Sequence, residues 1–479
     1  MGKIRRLAGE TVLYGLGSIV PRFLNFLLVS IHTRVLPQGE YGTITDVLAY
    51  VGFLNVIYSF GMETAYFRFA TKSLSEENKI FNLAQTTVMT ISVILSVGLL
   101  LSASFLASDL GFGNHIEYIY WTIGIMFIDN VVIIPFARLR LHKKAFQFAI
   151  GKLVNVMIVI ALNLYFLKVV YDPAIGFAYI LLANLIGNSF FLLFFAKSLF
   201  SWRPAYDKTV SPEMFKYAFP VMLSGLAGMT NEMFSRKTLR YWLPENFYPG
   251  KSASYVLGIF AASYKFSVIM NLTIQAFRYA AEPFFFSNAA DKNSPALFAR
   301  VNHYFIIVCC IILLGVGINM DILKYFIGRG YWEGIYIVPV LLLAYLFLGI
   351  YYNVSVWFKL TDKTYYGTYI TIGGAVITIV GNYFLIPVLG YEGSSIAALL
   401  CYFFMALACY VVGQKYYPIP YHVAKDMSYI VLTTVLVYAV NSIVIENMWL
   451  ASSFHALVIG LYLIIIYFLE RKDLKGSRQ

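Results

Sequence analysis

Apolar runs of roughly twenty residues, the length that crosses a bilayer as a helix, recur along the whole chain with only short polar breaks between them. Hydrocarbon offers no partner for backbone N–H and C=O groups, so each run is predicted to be a helix. The runs are too long, and alternate too little, for the roughly ten-residue strands of a membrane barrel. Spans are expected at residues 11–35, 42–69, 82–107, 115–138, 146–168, 173–199, 214–240, 254–287, 297–320, 332–358, 364–388, 391–414, 424–445 and 449–469. Fourteen crossings place both ends of the chain on one side, and the long eighth segment is expected to project from the bilayer. The longest loops, around 200–213, 240–253 and 288–297, are too short to carry the catalytic acids of a membrane-embedded glycosyltransferase, polymerase or ligase. A Gly-rich phosphate loop, a Ser/His/Asp set and His-x-x-x-His spacing are all missing from the sequence, so a transporter is expected rather than an enzyme.

Composition agrees. Of 479 residues 60% are hydrophobic, 18% aromatic and only 13% charged, and the mean hydropathy is +0.72; soluble chains carry about 25% charged residues. The basic start, Met1-Gly2-Lys3-Ile4-Arg5-Arg6, resembles a signal peptide. No Ala-x-Ala-like site follows, however, and Pro21 and Arg22 lie inside the stretch, which predicts a retained first span. Cys309, Cys310, Cys401 and Cys409 lie in apolar segments without His or acidic residues at ligand spacing, so they are expected to pack, not to bind metal.

Of the 36 Lys and Arg, 24 fall on the side expected to hold the termini, and six on the other: Arg34, Lys168, Arg240, Lys251, Lys324 and Arg329. Positive charge marks the cytoplasmic side, so the bias predicts cytoplasmic termini in a multi-pass membrane protein. The same bias accounts for the net charge of +12 without a nucleic-acid partner.

Landmarks repeat at the spacing of six spans. Pro21 is matched by Pro220, Gly42 by Gly258, Ala65-Tyr66-Phe67-Arg68 by Ala276-Phe277-Arg278-Tyr279, and Asn163 with Gly176 and Ala183 by Asn382, Gly393 and Ala398. Two parallel six-helix lobes are expected, residues 1–200 and 201–415, followed by two additional helices and a tail in 416–479. The fold class is therefore an all-α integral membrane protein.

The remaining six cations lie deep in spans: Arg22, Lys152, Arg236, Lys237, Lys265 and Arg278. Each would cost roughly 2.5–3.5 kcal/mol at a helix centre. Acids available to compensate are Asp46, Glu63, Asp129, Glu232 and Glu282, and the one-turn spacing predicts pairs of Glu232 with Arg236 and of Arg278 with Glu282. For Lys237, Arg278 and Glu282, toward span ends, the alternative is snorkelling or pairing between helices. Arg22 and Lys265 have no acid one turn away. Arg22 follows the kinking Pro21 and shares a face with Asn25, a combination suited to an anionic group such as a phosphate; Pro220 and Arg236 predict a second cationic wall on the other lobe. Asn55, Asn130, Asn155, Asn184, Asn188, Asn271, Asn353 and Asn441 are expected to bond between helices, and His32, His303 and His455 to pack. Asp46 and Asp129 are candidates for binding Na⁺ or a proton, unless a basic neighbour such as Lys152 pairs with them.

Pro21-Arg22-Phe23-Leu24-Asn25-Phe26, Arg34-Val35-Leu36-Pro37 with Glu40-Tyr41-Gly42, and Gly61-Met62-Glu63-Thr64-Ala65-Tyr66-Phe67-Arg68-Phe69 resemble polysaccharide flippases of the Wzx type. So do Lys359-Leu360-Thr361-Asp362-Lys363-Thr364 and Asn382-Tyr383-Phe384-Leu385-Ile386-Pro387 with Gly390-Tyr391-Glu392-Gly393. These flippases belong to the multidrug/oligosaccharidyl-lipid/polysaccharide (MOP) exporter superfamily, with the lipid II flippases and the MATE drug exporters. The resemblance covers essentially the whole chain. It implies a bacterial plasma (inner) membrane location and two six-helix bundles around a cavity that opens alternately to either side and meets the diphosphate of an undecaprenyl-linked oligosaccharide, driven by an ion gradient or membrane potential. Substrate contacts are then expected at Arg22, Asn25, Arg34, Arg68, Lys152, Arg236, Lys265 and Arg278, and ion coupling at Asp46, Glu63, Asp129 and Glu232. Where many relatives carry Asp-Arg late in the seventh span this chain has Ser235-Arg236, which shifts that coupling role to Glu232. The last two spans resemble the pair that forms a groove for the lipid tail in lipid II flippases. H⁺ or Na⁺ is the only small partner implied, with a polysaccharide polymerase and glycosyltransferases as expected protein partners. A MATE-like cation antiporter, whose cavity should be acidic, and a lipid II-type flippase are the alternatives; a third is a non-transporting scaffold for glycan assembly.

Overall fold

Long apolar runs become long helices, and the polar breaks end them. The computed structural model describes residues 2–476 apart from positions 73, 114, 290 and 292; side chains are described from 15 to 471, except at 16, 18, 74, 280, 283 and 287. The expected contributions of Lys3, Arg5, Arg6, Lys292 and the tail beyond Arg471 to the charge bias lie outside the described side chains. Among the described residues fourteen longer helical units follow one another, with shorter helices such as Ala103–Asp109 and Ala196–Ser201 between some of them: α1 (Gly2–Val35), α2 (Gln38–Lys72), α3 (Glu77–Leu101), α4 (Glu117–Leu141), α5 (Ala145–Lys168), α6 (Ala178–Phe194) and α7 (Val210–Trp242). The second set is α8 (Ala253–Asn288), α9 (Ser294–Gly317), α10 (Arg329–Leu360, with a 3-10 first part), α11 (Tyr365–Leu389), α12 (Tyr391–Tyr416), α13 (Val423–Asn441) and α14 (Met448–Gly476). Among the described residues eleven units are long and apolar enough to cross a membrane by themselves, and α6 is a shorter apolar helix. The other two, α1 and α7, are long enough at 34 and 33 residues, but each carries an internal proline and charged side chains that dilute its apolarity. Large side chains left exposed, such as Leu101, Leu193, Val388, Val431 and Leu457, suit a lipid-facing surface.

Packing repeats with the same offset as the sequence landmarks. Contacts of α1 with α5, α5 with α6, α4 with α6, α3 with α4, and α2 with both α3 and α4 recur as α7 with α11, α11 with α12, α10 with α12, α9 with α10, and α8 with both α9 and α10. Between the halves, α1 meets α8 as α7 meets α2, and α2 meets α8. Even side-chain bonds follow the repeat: His32 Nε2 and Asn163 Oδ1, 2.9 Å apart, tie α1 to α5, and Asn382 donates to Ser235 Oγ at 3.1 Å to tie α11 to α7. Helices α13 and α14 attach to α9. There His303 is held between Asp426 of α13 and Glu470 of α14, the latter at 3.2 Å.

Starts and ends of helices meet in a consistent way. Gly15 lies against Tyr279, Glu282 binds Lys359, Ser294 and Tyr417 hydroxyls are 2.9 Å apart, and Glu470 binds Lys425 at 2.9 Å. That end of the bundle is the termini end; the other is the far end.

Candidate functional site: a cationic cavity between the two halves

At the far end the halves are sealed by backbone contact. A Cβ on Gly42 would stand 1.8 Å from the Ser254 carbonyl oxygen, and one on Gly258 would stand 2.0 Å from that of Gln38, so only glycine lets α2 and α8 cross this closely. The Gly328 N–H donates to Thr33 Oγ1 at 3.0 Å, and the Tyr331 hydroxyl donates to the Leu36 carbonyl at 2.9 Å. Charge completes the seal. Arg240 of α7 donates to Asp46 of α2 at 2.7 Å and also to the Asp109 carbonyl. Lys237 lies 3.5 Å from Asp46 and 3.1 Å from the centre of the Tyr50 ring, while Tyr241 donates to Asp109 Oδ2 at 3.0 Å.

Below this seal, toward mid-bundle, the halves part. One space of about 210 Å³ is lined by Asn25, His32, Tyr41, Thr45, Arg236 and Lys265 among others. It shares Asn25 and Lys265 with a second space of about 360 Å³, lined by Arg22, Glu232, Asn271, Gln275, Tyr345 and Tyr352 as well. Together they form a central cavity walled by α1, α2, α7, α8 and α10, with α5 and α6 behind. Among the described residues that line it, three are cations, Arg22, Lys265 and Arg236, and one is a carboxylate, Glu232. Among the described residues neither Arg22, Lys265 nor Glu232 has an ion-pair partner. Arg236 is buried, lies 4.6 Å from the centre of the Tyr264 ring and donates to Met233 Sδ at 2.9 Å, while its Nε has no hydrogen-bond partner among the described residues. The expected Glu232–Arg236 pair is therefore not formed: the Tyr264 face and the sulfur draw the guanidinium away from the helix surface that the two residues share.

Of the residues expected to contact substrate, Arg22, Asn25, Arg236 and Lys265 are brought together here. Arg278 stands one step outside, 4.0 Å from the centre of the Tyr352 ring, and shares Glu282, at 3.9 Å, with Lys359. Arg34 lies at the far end and donates to the Tyr325 carbonyl at 2.9 Å. Arg68 lies beyond the kink of α2, over Tyr217 at 4.2 Å. Lys152 is enclosed in the first half over Phe136, 4.2 Å from its centre. The acids divide likewise. Asp46 is paired as above, Glu63 binds Arg140, and Asp129 accepts from Asn188 Nδ2 at 2.8 Å inside the first half; only Glu232 faces the cavity. Asn55 with Asn130 and Asn155 with Asn188 bond between helices as expected, whereas Asn271 lines the cavity. Gln275, Tyr345 and Tyr352 were not singled out in the sequence. Their signal was available only as a position one turn before Arg278 on α8, and as a tyrosine-rich face on α10.

A tightly sealed far end, two halves repeating each other and a charged space between them define a helical membrane protein with the fold of the MOP superfamily. The fold matches that of a lipid II flippase, MurJ, in an inward closed conformation, with a TM-score of 0.75, 14% identity and coverage of 97% of this chain and 100% of that one. An inward-facing multidrug resistance MATE transporter of the MOP superfamily matches with a TM-score of 0.64, 15% identity and coverage of 86% and 97%. For a MATE transporter of Vibrio cholerae the values are 0.60, 16%, 86% and 96%. Among curated proteins none matches the chain in sequence. The family model described as polysaccharide biosynthesis protein matches residues 7–289, more than half of the chain, and the chain belongs to that family.

Proposed function

We propose that the protein is a flippase that carries an undecaprenyl-diphosphate-linked oligosaccharide across the membrane by alternating access. The observation that carries this reading is the balance of the central cavity: Arg22, Lys265 and Arg236 against Glu232. A diphosphate entering a site of low dielectric needs cations fixed in advance, because water is no longer there to screen it. Asn25, Asn271 and Gln275 supply donors and acceptors for sugar hydroxyls, and the Tyr345 and Tyr352 rings supply apolar faces for sugar rings. A cation exporter would need the opposite balance, which disfavours the MATE-like reading. Glu232 is the carboxylate placed to exchange a proton or Na⁺ with the cavity, and its neighbours Arg236 and Lys265 make it sensitive to whether the diphosphate is present. In this reading the lobes are residues 1–200 and 201–415, the pair α13 and α14 with the tail is 416–479, all fourteen helices cross an inner membrane, and the termini end is cytoplasmic. Cargo then enters from the termini end while the far end is sealed, and leaves when the Asp46–Arg240 contacts open.

Arg22→Ala tests the reading in proteoliposomes that report the leaflet position of a polyprenyl-diphosphate oligosaccharide. Losing one charge-assisted contact to the diphosphate should slow flipping by about tenfold or more at unchanged protein content. Flipping at the wild-type rate would overturn the proposal. Transport of a lipophilic cation in place of the lipid-linked glycan would favour the exporter.

A further inference from the structure

A second polar cavity, separate from the central one, lies on the surface of the first half at the termini end. It has a volume of about 490 Å³ and is lined by Arg138, His142, Lys144, Gln147, Lys197 and Ser201 against an apolar back wall that includes Phe194 and Phe195. Three elements build it: the last turn of α4, the turn into α5, and the end of α6 with the short helix Ala196–Ser201 that follows. Its cations are not equivalent. Arg138 donates to Glu77 at 3.0 Å, and His142 lies 3.6 Å from the same carboxylate. Lys144 and Lys197, on opposite walls, have no ion-pair partner among the described residues, and both are exposed. Next to lining residues in the chain, or one turn on, stand Phe146, Ile150, Leu193 and Phe200, all large, apolar and exposed.

We propose that this cavity binds the phosphodiester headgroup of an anionic phospholipid from the surrounding leaflet. A solvated cationic face, the ordinary outcome of positive-inside bias, needs neither a concave shape nor an apolar wall. Here lysines without an ion-pair partner among the described residues flank a pocket that opens between helix ends, and exposed aromatic and aliphatic side chains adjacent in the chain to its lining residues suit acyl chains. That combination, a basic pocket between spanning helices at one membrane face, is the physical form of headgroup recognition by proteins in a bilayer. A free phosphate would use the lysines and Ser201 but not the exposed apolar neighbours.

The test is a titration of the purified full chain in detergent with phosphatidylglycerol, followed by native mass spectrometry, and in parallel with inorganic phosphate. The double variant Lys144→Gln/Lys197→Gln should bind the lipid about tenfold or more weakly than wild type. Lys143→Gln, in the same turn but outside the cavity lining, should bind as wild type does, which separates the pocket from loss of charge in general. Monodisperse elution of each variant establishes that it is folded. Equal lipid binding by the double variant and wild type would overturn the proposal, as would an equal loss in Lys143→Gln. Binding of inorganic phosphate without binding of the lipid would overturn the lipid as the source. Because the cavity is remote from Arg22 and Lys265, none of these outcomes depends on the flippase reading.

Discussion

Arg236 shows how much a single side chain depends on its surroundings. By spacing it belongs with Glu232; in the fold it lies against Tyr264, with Nε unpartnered among the described residues, and Glu232 is left facing Arg22 and Lys265 across the cavity. Lys265→Met would remove a second cavity cation without adding a polar group. It should reduce flipping as Arg22→Ala does while leaving thermal stability near that of wild type, because no ion pair is broken; melting and flipping assays on one preparation check both. Asp46 is the reverse case. Its side chain is 1% exposed and neutralises both Arg240 and Lys237. Removing one partner of a buried pair costs about 3–5 kcal/mol, so Asp46→Asn should lower the melting temperature markedly, and Asp46→Asn/Arg240→Gln should recover part of the loss. Equal melting of the wild type and Asp46→Asn would show that the seal does not depend on this pair.

Among elements, the crossing of α2 and α8 is the most constrained. Gly42→Ala puts a methyl where 1.8 Å separates it from a carbonyl oxygen, while Gly39, three residues earlier, has nothing within 4 Å. Gly42→Ala should therefore abolish transport or accumulation, and Gly39→Ala should leave both unchanged, as measured by membrane yield and flipping. The two glycines of the crossing were visible in the sequence as matched landmarks, but their meeting was not, since no local pattern says which helix faces which. At the other end, Lys79 lies 2.7 Å from Asp207 and, with the N–H groups of Val210 and Thr209, holds that carboxyl down at about 2, below its ordinary 3.8. A lowered carboxylate contributes stability that is present above the ordinary value and is lost as pH falls through about 2. The docking of the 202–210 loop should accordingly be indifferent to pH from 8 to 4, which protease resistance of the loop measures; a loss between those limits would assign the contact another controlling group.

For the whole molecule, the repeat explains how a cavity can exist at all. Two halves that pack internally in the same way can tilt as bodies while the contacts between them change: those of α1 with α8, α2 with α8 and α2 with α7, and those of Thr33, Leu36 and Asp109 in the far-end seal. Joining Tyr50→Cys to Tyr241→Cys with a short bis-maleimide, across hydroxyls now 3.2 Å apart, should trap the far end closed and stop flipping. Transport at the wild-type rate in the cross-linked protein would rule out opening at this end. The four native cysteines are buried, which leaves the introduced pair as the accessible target.

The all-helical type and the succession of long apolar helices were legible in the sequence because they depend on local hydropathy and on the absence of water in a bilayer, and both are written along the chain. So was the short list of charges too costly to be incidental. Which of those charges share one space was not legible. Lys152 looks as eligible as Arg22 and Lys265 when read by depth, and Arg34 and Arg68 as eligible when read by resemblance, yet Arg34, Arg68 and Lys152 are each drawn to a different neighbour: a carbonyl, a tyrosine ring and a phenylalanine ring. Partner choice among buried charges is set by the crossing of helices far apart in sequence, and that crossing was decided only where Gly42 met Gly258.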